Sequence, residues 1–269
     1  MHPRAHRRGR ARTRLRAAAR PEAHARGALT APARRTPLPA DVGPSSWTFP
    51  DAAPGDEHGL VGVGADLAPA TLVDAYRRGV FPWPHDSIDA VPWFCPPLRG
   101  VIPLDRLRVS RSLARTLRRR GYETTVDETF EAVVEGCREP RAGQDGTWIS
   151  DDLAAAYARL HALGHAHSLE VWDGERLVGG IYGVLVGGVF CGESMFRRAT
   201  DASKVALADL VARLLEAGAG LLEVQQLTPH LQSLGAIEIE RALYLGLLEE
   251  LRDDNVRLLR DRLPASRLT

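Results

Sequence analysis

Two carboxylates, a carboxamide and a hydroxyl lie inside short strand-like runs of this 269-residue chain. Glu193 and Ser194 fall within Phe190-Cys191-Gly192-Glu193-Ser194-Met195-Phe196. Glu223 and Gln225 fall within Leu221-Leu222-Glu223-Val224-Gln225-Gln226. Residues two apart on a strand project from one face, so Glu223 and Gln225 stand together, opposite Leu222 and Val224. An acid beside an amide on a strand face suits the orientation of a nucleophile and the movement of a proton. The bland alternative for Glu193 is a strand-end charge in water. Glycines at 179, 180, 183, 187 and 188 favour a pocket wall instead, because glycine within strands marks bulges or close approaches.

The elements that must position these groups are legible around them. Residues 167–172, 176–186 and 189–195 read as a three-stranded meander turned by Asp173-Gly174 and Gly187-Gly188. Asp201 is set to cap a helix over 202–217, with Gly218 as its stop. Ala70–Arg78 reads as a helix with Leu72, Val73 and Tyr76 on one face. Around it, residues 47–103 are dense in Gly, Pro and aromatics. Proline denies ladder hydrogen bonds, so this stretch reads as ordered coil presenting Trp83 and Trp93, not as sheet. Core packing is the alternative for either indole. A helix over Val109–Gly121, capped by Ser110, buries Leu113 and Leu117. Arg111, Arg115 and Arg118 share another of its faces, either solvated or meeting phosphates. Glu123–Val126 reads as a strand and Glu128–Cys137 as a helix; a further helix capped by Ser150 turns Leu153, Tyr157 and Leu160 inward. A short helix starts at Thr228-Pro229, and a closing helix spans 242–259.

Composition narrows the class. The chain is 44% hydrophobic and 26% charged, ordinary for a soluble globular protein, with no membrane-length apolar run. Eleven arginines and one acid lie in residues 1–40, leaving 24 basic and 33 acidic residues in a body near −9. That tail reads as disordered and dispensable. A body so acidic is no general nucleic-acid coat, so any nucleic-acid contact is local. Cys95, Cys137 and Cys191 have neither disulfide nor metal spacing, which fits a reducing cytoplasm. His161, His165 and His167 fall on a helix, a turn and a strand start with no acid close in sequence, so no metal is expected. The order of elements implies an α/β (α+β) fold: a disordered tail (1–40), a small Pro/Trp-rich domain (41–103) and a mixed-sheet, acetyltransferase-like domain with flanking helices (104–269).

An acyl-CoA-dependent N-acetyltransferase is the rival that such a fold brings. It needs a glycine-rich loop to cradle pyrophosphate at a helix N-terminus, yet Phe196–Lys204 reads FRRATDASK, without glycine. A non-catalytic tRNA-binding module would use the arginine stripe but leave Glu193, Glu223 and Gln225 without purpose.

The series AYRRGVFPW, PWFCPP, RVSRSL, GTWIS, HAHSLEVW, LVGGIYG, FCGESMF, ASK and TPHLQSLGA closely resembles leucyl/phenylalanyl-tRNA–protein transferases, from about Phe49 to Ile239. The resemblance implies transfer of Leu or Phe, with Met as a third fitting side chain, from aminoacyl-tRNA to a protein beginning with Arg or Lys. It implies no cofactor, a monomer and no membrane. It also implies an aminoacyl pocket of Ile181, Phe190, Leu207 and Leu222, and terminal adenosine held between Trp83 and Trp148. Gln225 would accept from the attacking amine, with Glu223 bonded to the Gln225 side-chain amide nitrogen. Glu193 would meet the acceptor's basic side chain, or else support Gln225. The chain departs from the family pattern at Ala65, Ala68, Phe94, Cys95 and Arg197, and at Glu223, where Asp is usual.

Overall fold

The computed structural model describes residues 33–50, 58–84, 89–140 and 147–269. The chain begins with a small module: β1 (Leu60–Val63), α1 (Pro69–Arg77), β2 (Phe81–Pro82) and β3 (Pro92–Phe94). The three strands form an antiparallel sheet in the order β1-β3-β2, which corrects the expectation of coil. Proline keeps β2 and β3 to two and three residues but does not abolish them. Trp93 is not a presented ring. It is 1% exposed, its indole N–H donates to Gly64 O at 2.6 Å, and its ring meets Phe49 edge-on at 4.9 Å.

The larger unit runs β4 (Leu98–Ile102), α2 (Arg111–Arg119), β5 (Glu123–Val126), α3 (Phe130–Arg138), α4 (Asp151–Ala162), β6 (Ala166–Asp173), β7 (Arg176–Val186) and β8 (Val189–Arg197). Then follow α5 (Ala202–Ala217), β9 (Leu221–Gln225), α6 (Pro229–Ser233), β10 (Ile237–Glu240), α7 (Arg241–Leu251) and β11 (Leu263–Pro264). Eight strands make one sheet, β10-β4-β9-β8-β7-β6-β5-β11. The mixed α/β class expected from sequence holds. The boundary at 103 does not, because β4 already belongs to the large sheet. The last helix also stops at Leu251, short of 259.

Helices cover both faces of the sheet. On one side α1, α3, α4 and α7 bury Leu72, Tyr76, Val133, Tyr157 and Tyr244 together with the small module. On the other, α2 and α5 bury Leu113, Leu117, Leu207 and Leu210. Ser110 and Ser150 cap their helices as expected, accepting from the Leu113 and Leu153 N–H groups. Asp201 does not cap α5 through its side chain; its carboxylate takes Lys204 and Thr116.

Residues 33–40, assigned above to a disordered tail, belong to the fold, whereas 1–32 lie outside the described residues. Thr36 is fully buried, and its N–H donates to Leu258 O at 2.8 Å. Arg213, also fully buried on α5, pairs with Asp209 at 2.6 Å and donates to the Leu259, Thr124 and Asp261 carbonyls. These bonds fasten the segments around Thr36, Thr124 and 258–261 to one another and to α5.

Every neighbouring pair in the large sheet is antiparallel except β8 and β9, which α5 joins as a crossover. Their parallel pairing covers Val189–Cys191 against Leu221–Glu223 and then ends. Beyond it β8 stays with β7, while Gln225 pairs with Gly100 of β4. The sheet opens between Gly192-Glu193 and Val224-Gln225.

Candidate active site

The opening has a polar face. Glu193, from β8, is buried against α1 and α4. Its Oε1 accepts from the Tyr76 hydroxyl at 2.7 Å and the Gln225 side-chain amide at 3.1 Å. Its Oε2 accepts from the Tyr157 hydroxyl at 2.8 Å. Burial pushes the carboxyl up to about 7, with the three donors opposing and the Glu223 charge reinforcing the shift. Both oxygens thus accept from side chains of the protein itself. These bonds match the alternative weighed for Glu193, support for Gln225.

Glu223 departs from its expected bond. Its Oε1 accepts from the Gln225 backbone N–H at 2.5 Å, not from the side-chain amide. The same carboxylate meets the Arg99 Nη2 at 3.0 Å and Nε at 3.2 Å, with both residues buried. Burial raises the Glu223 pKa, against the pull of Arg99. Gln225 ends β9 in the left-handed region, at φ 59°, and the next N–H closes a tight turn onto Val224 O at 2.7 Å. Spacing of two residues did bring Glu223 and Gln225 to one face; the turn redirected the hydrogen bond from side chain to main chain.

The other face of the sheet is apolar. Ile181, Phe190, Leu207 and Leu222 are 0–3% exposed and share one core cluster under α5. They pack closed against one another in this structure. At Gly192 a Cβ would lie 3.3 Å from the Glu223 carbonyl oxygen, 3.8 Å from Leu222 and 3.9 Å from Ile181. Gly183 shows why glycine recurs on these strands, since its Cβ would fall 2.2 Å from the Cys191 carbonyl oxygen at a bulge.

Trp148 lines a cavity of about 450 Å³ with Leu67, Pro84, Asp89, Arg138 and Ser150. Trp83, next to Pro84, is half-buried with its ring 6.0 Å from Phe94 and 6.4 Å from Phe81. Arg111, Arg115 and Arg118 are exposed along α2. The histidines separate. His165 bonds Ala40 O, whereas His161 and His167 converge with Asp127, an acid 40 residues from His167 in sequence. These three could each lend a metal-ligand atom. Here His167 Nδ1 bonds Asp127 at 2.8 Å and His161 Nδ1 bonds Ala166 O at 2.9 Å.

Sequence reasoning missed Tyr76, Tyr157 and Arg99 as site residues. The tyrosines fall on the buried stripes of their helices, yet a buried hydroxyl demands a partner, and that demand is the available signal.

The profile of the leucyl/phenylalanyl-tRNA protein transferase family matches residues 101–249, and that of its N-terminal domain residues 65–97. The chain belongs to the leucyl/phenylalanyl-tRNA–protein transferase family. A relative of that name from Shewanella halifaxensis (strain HAW-EB4) is 48% identical over 207 residues, 77% of this chain and 87% of its own. Another, from Shewanella sp. (strain W3-18-1), is 45% identical over 211 residues, 78% and 89% of the two chains. Among solved structures, that of L-PGS from Bacillus licheniformis covers 54% of this chain and 45% of its own, at 12% identity and a TM-score of 0.35. That likeness is too low to bear on the site. As a leucyl/phenylalanyl-tRNA–protein transferase the chain is an aminoacyltransferase. In its site one Glu223 oxygen serves both Arg99 and the Gln225 N–H.

Proposed function

We propose that this transferase moves Leu or Phe from aminoacyl-tRNA to the N-terminal Arg or Lys of an acceptor protein, marking it for degradation in the cytoplasm. No helix among the described residues is long and apolar enough to cross a membrane. The observation that carries the proposal is the parting of β8 and β9, with Gln225 and Glu193 on one face and the apolar cluster on the other. An aminoacyl ester entering there would have its carbonyl at the polar face and its side chain toward Leu222 and Ile181. Contact with those closed residues requires them to shift apart.

The reaction is ester aminolysis. The acceptor's α-amine attacks the aminoacyl carbonyl, the C–N bond forms, and the ribose oxygen leaves with the proton that the amine gives up. An α-amine of reference pKa near 8 is already partly neutral, so orientation matters more than a strong base. The Gln225 amide oxygen accepts from the amine, while Glu193 holds the amide nitrogen. Trp83 and Trp148 flank the terminal adenosine at the cavity beside α4, and Arg111, Arg115 and Arg118 meet acceptor-stem phosphates.

The test uses purified protein, radiolabelled Leu-tRNA and peptides beginning with Arg, Lys or Ala. Label appearing on the Arg and Lys peptides but not on Ala is the expected result. Equal labelling of all three, or none, would overturn the acceptor assignment.

A further inference from the structure

We infer that Arg99 is a positioning residue for Gln225: its buried guanidinium fixes Glu223, and Glu223 fixes the left-handed backbone from which the Gln225 side chain reaches Glu193. The inference rests on Gln225 acting in transfer, as proposed above.

Arg99 interrupts Leu98-Arg99-Gly100-Val101-Ile102, a strand otherwise free of charge, and it is 1% exposed. A guanidinium so placed is costly unless its donors are met and its charge is paired. Here the edge carrying Nε and Nη2 faces Glu223, and Nη1 donates to Gly79 O at 2.6 Å, with Cys95 Sγ at 3.9 Å. The Tyr244 ring lies 4.1 Å from the guanidinium carbon and the Phe81 ring 5.2 Å away. Edge and faces are therefore both constrained, which an ammonium on a flexible stem could not reproduce.

What this rigidity serves lies two bonds away. Glu223 Oε1, held by Arg99, receives the Gln225 N–H at 2.5 Å. A non-glycine residue at φ 59° persists only where its surroundings over-determine it. Glu223 supplies the side-chain partner of that N–H, beside the Gly100 pairing and the Gln226–Val224 turn, and releasing it loosens the left-handed backbone. The Gln225 side chain would then leave its 3.1 Å bond to Glu193.

The same turn of the small module grips both branches. Tyr76 on α1 donates to Glu193, and Gly79, just past α1, accepts from Arg99. Docking of α1 thus sets the Gln225 side chain through one bond and its backbone through the other.

The test compares Arg99→Met, Arg99→Lys, Arg99→Met/Glu223→Gln and Gln225→Ala in the full chain. Each is measured for kcat, for KM toward Leu-tRNA with an Arg-initiated peptide, and for Tm. Arg99→Met fills the same space, so kcat should fall at least about tenfold while KM stays within about threefold, because misplacement near 1 Å costs rate rather than donor binding. Its Tm should also fall, since Glu223 is left buried and unpaired. Glu223→Gln in the double variant removes that charge, so Tm should recover while kcat stays about tenfold down. Recovery of kcat together with Tm would reduce Arg99 to a packing role, as would an Arg99→Met rate within about twofold of the parent. Should Arg99→Met not fold, Arg99→Lys carries the test: at least a threefold loss of kcat supports positioning, and an unchanged kcat overturns it. An unchanged rate in Gln225→Ala removes the reading on which the inference rests; a slow Gln225→Ala beside a normal Arg99→Met removes the positioning role alone.

Discussion

The Gln225 side-chain amide donates to Glu193 at 3.1 Å, beside the line where β8 and β9 part. A carboxylate with both oxygens accepting can receive only the amide nitrogen, so the amide oxygen of Gln225 points elsewhere, free to accept. Gln225→Ala removes that acceptor while leaving the apolar cluster and the tryptophans untouched. Transfer at saturating substrate should fall by about 10²-fold or more, with aminoacyl-tRNA affinity within a few-fold of the parent. Single-turnover transfer and filter binding on the same preparations separate the two. An unchanged rate would make Gln225 structural.

Glu193 ties this geometry to pH. Burial raises its folded-state pKa to about 7 from an ordinary 4.5. Between those values the folded protein holds a proton that the unfolded chain has lost, so stability is present below pH 4.5 and is lost as pH rises through 7. Glu170 is raised to about 7 as well, by burial, and contributes with the same sign. Glu223, also raised by burial, adds to the same sign, and Glu193→Gln removes one of the three, so its Tm relative to the parent should be higher at pH 8 than at pH 5. The full shift bounds the effect at a few kcal/mol. A Tm difference that does not vary with pH would show that Glu193 titrates normally.

Much of this arrangement was legible in sequence because it depends on local pattern. The meander from His167 to Met195 has its turn residues at the right spacings, and Ser110 and Ser150 sit one residue before amphipathic helices. What escaped was pairing across distance. Arg99 and Glu223 are 124 residues apart, and His167 and Asp127 are 40 apart, so no period links them. Trp93 escaped for another reason: its prolines argued for coil, but two- and three-residue strands tolerate proline at their ends. The Glu223 bond to main chain rather than side chain follows from the left-handed turn at Gln225, which nothing in Leu-Glu-Val-Gln announces.

The apolar cluster supplies a donor test. Packing by Ile181, Phe190, Leu207 and Leu222 favours a side chain unbranched at Cβ, with each buried methylene worth about 0.8 kcal/mol. Leu and Phe carried on matched tRNAs should transfer at least about tenfold faster than Ile or Val. Leu222→Ala should narrow the gap between Leu and Ile and cost about 2–5 kcal/mol of stability, as truncation of a fully buried leucine does. Equal transfer of Leu and Ile by the parent protein would place donor selection elsewhere.

The arginine stripe on α2 bears on tRNA affinity alone. Arg111, Arg115 and Arg118 are exposed, and none is ion-paired among the described residues, in a body that carries an excess of acid. An unneutralised row of guanidiniums attracts polyanions without reading their sequence, since phosphate contacts fix position and base contacts carry specificity. Changing all three to Ala removes three such contacts. The slope of log K against log salt should then flatten by about two to three units, following 0.7 to 0.9 per phosphate. Affinity should fall alike for Leu-, Phe- and non-cognate tRNAs. Transfer at saturating donor should hold, because α2 lies on the face away from Gln225, and Tm should move little because none of the three is buried. Isothermal titration over a range of salt concentrations, run beside the transfer assay, reads all of these. Selective loss for one isoacceptor would mean that the stripe touches bases, and an unchanged salt slope would return it to a solvated helix face.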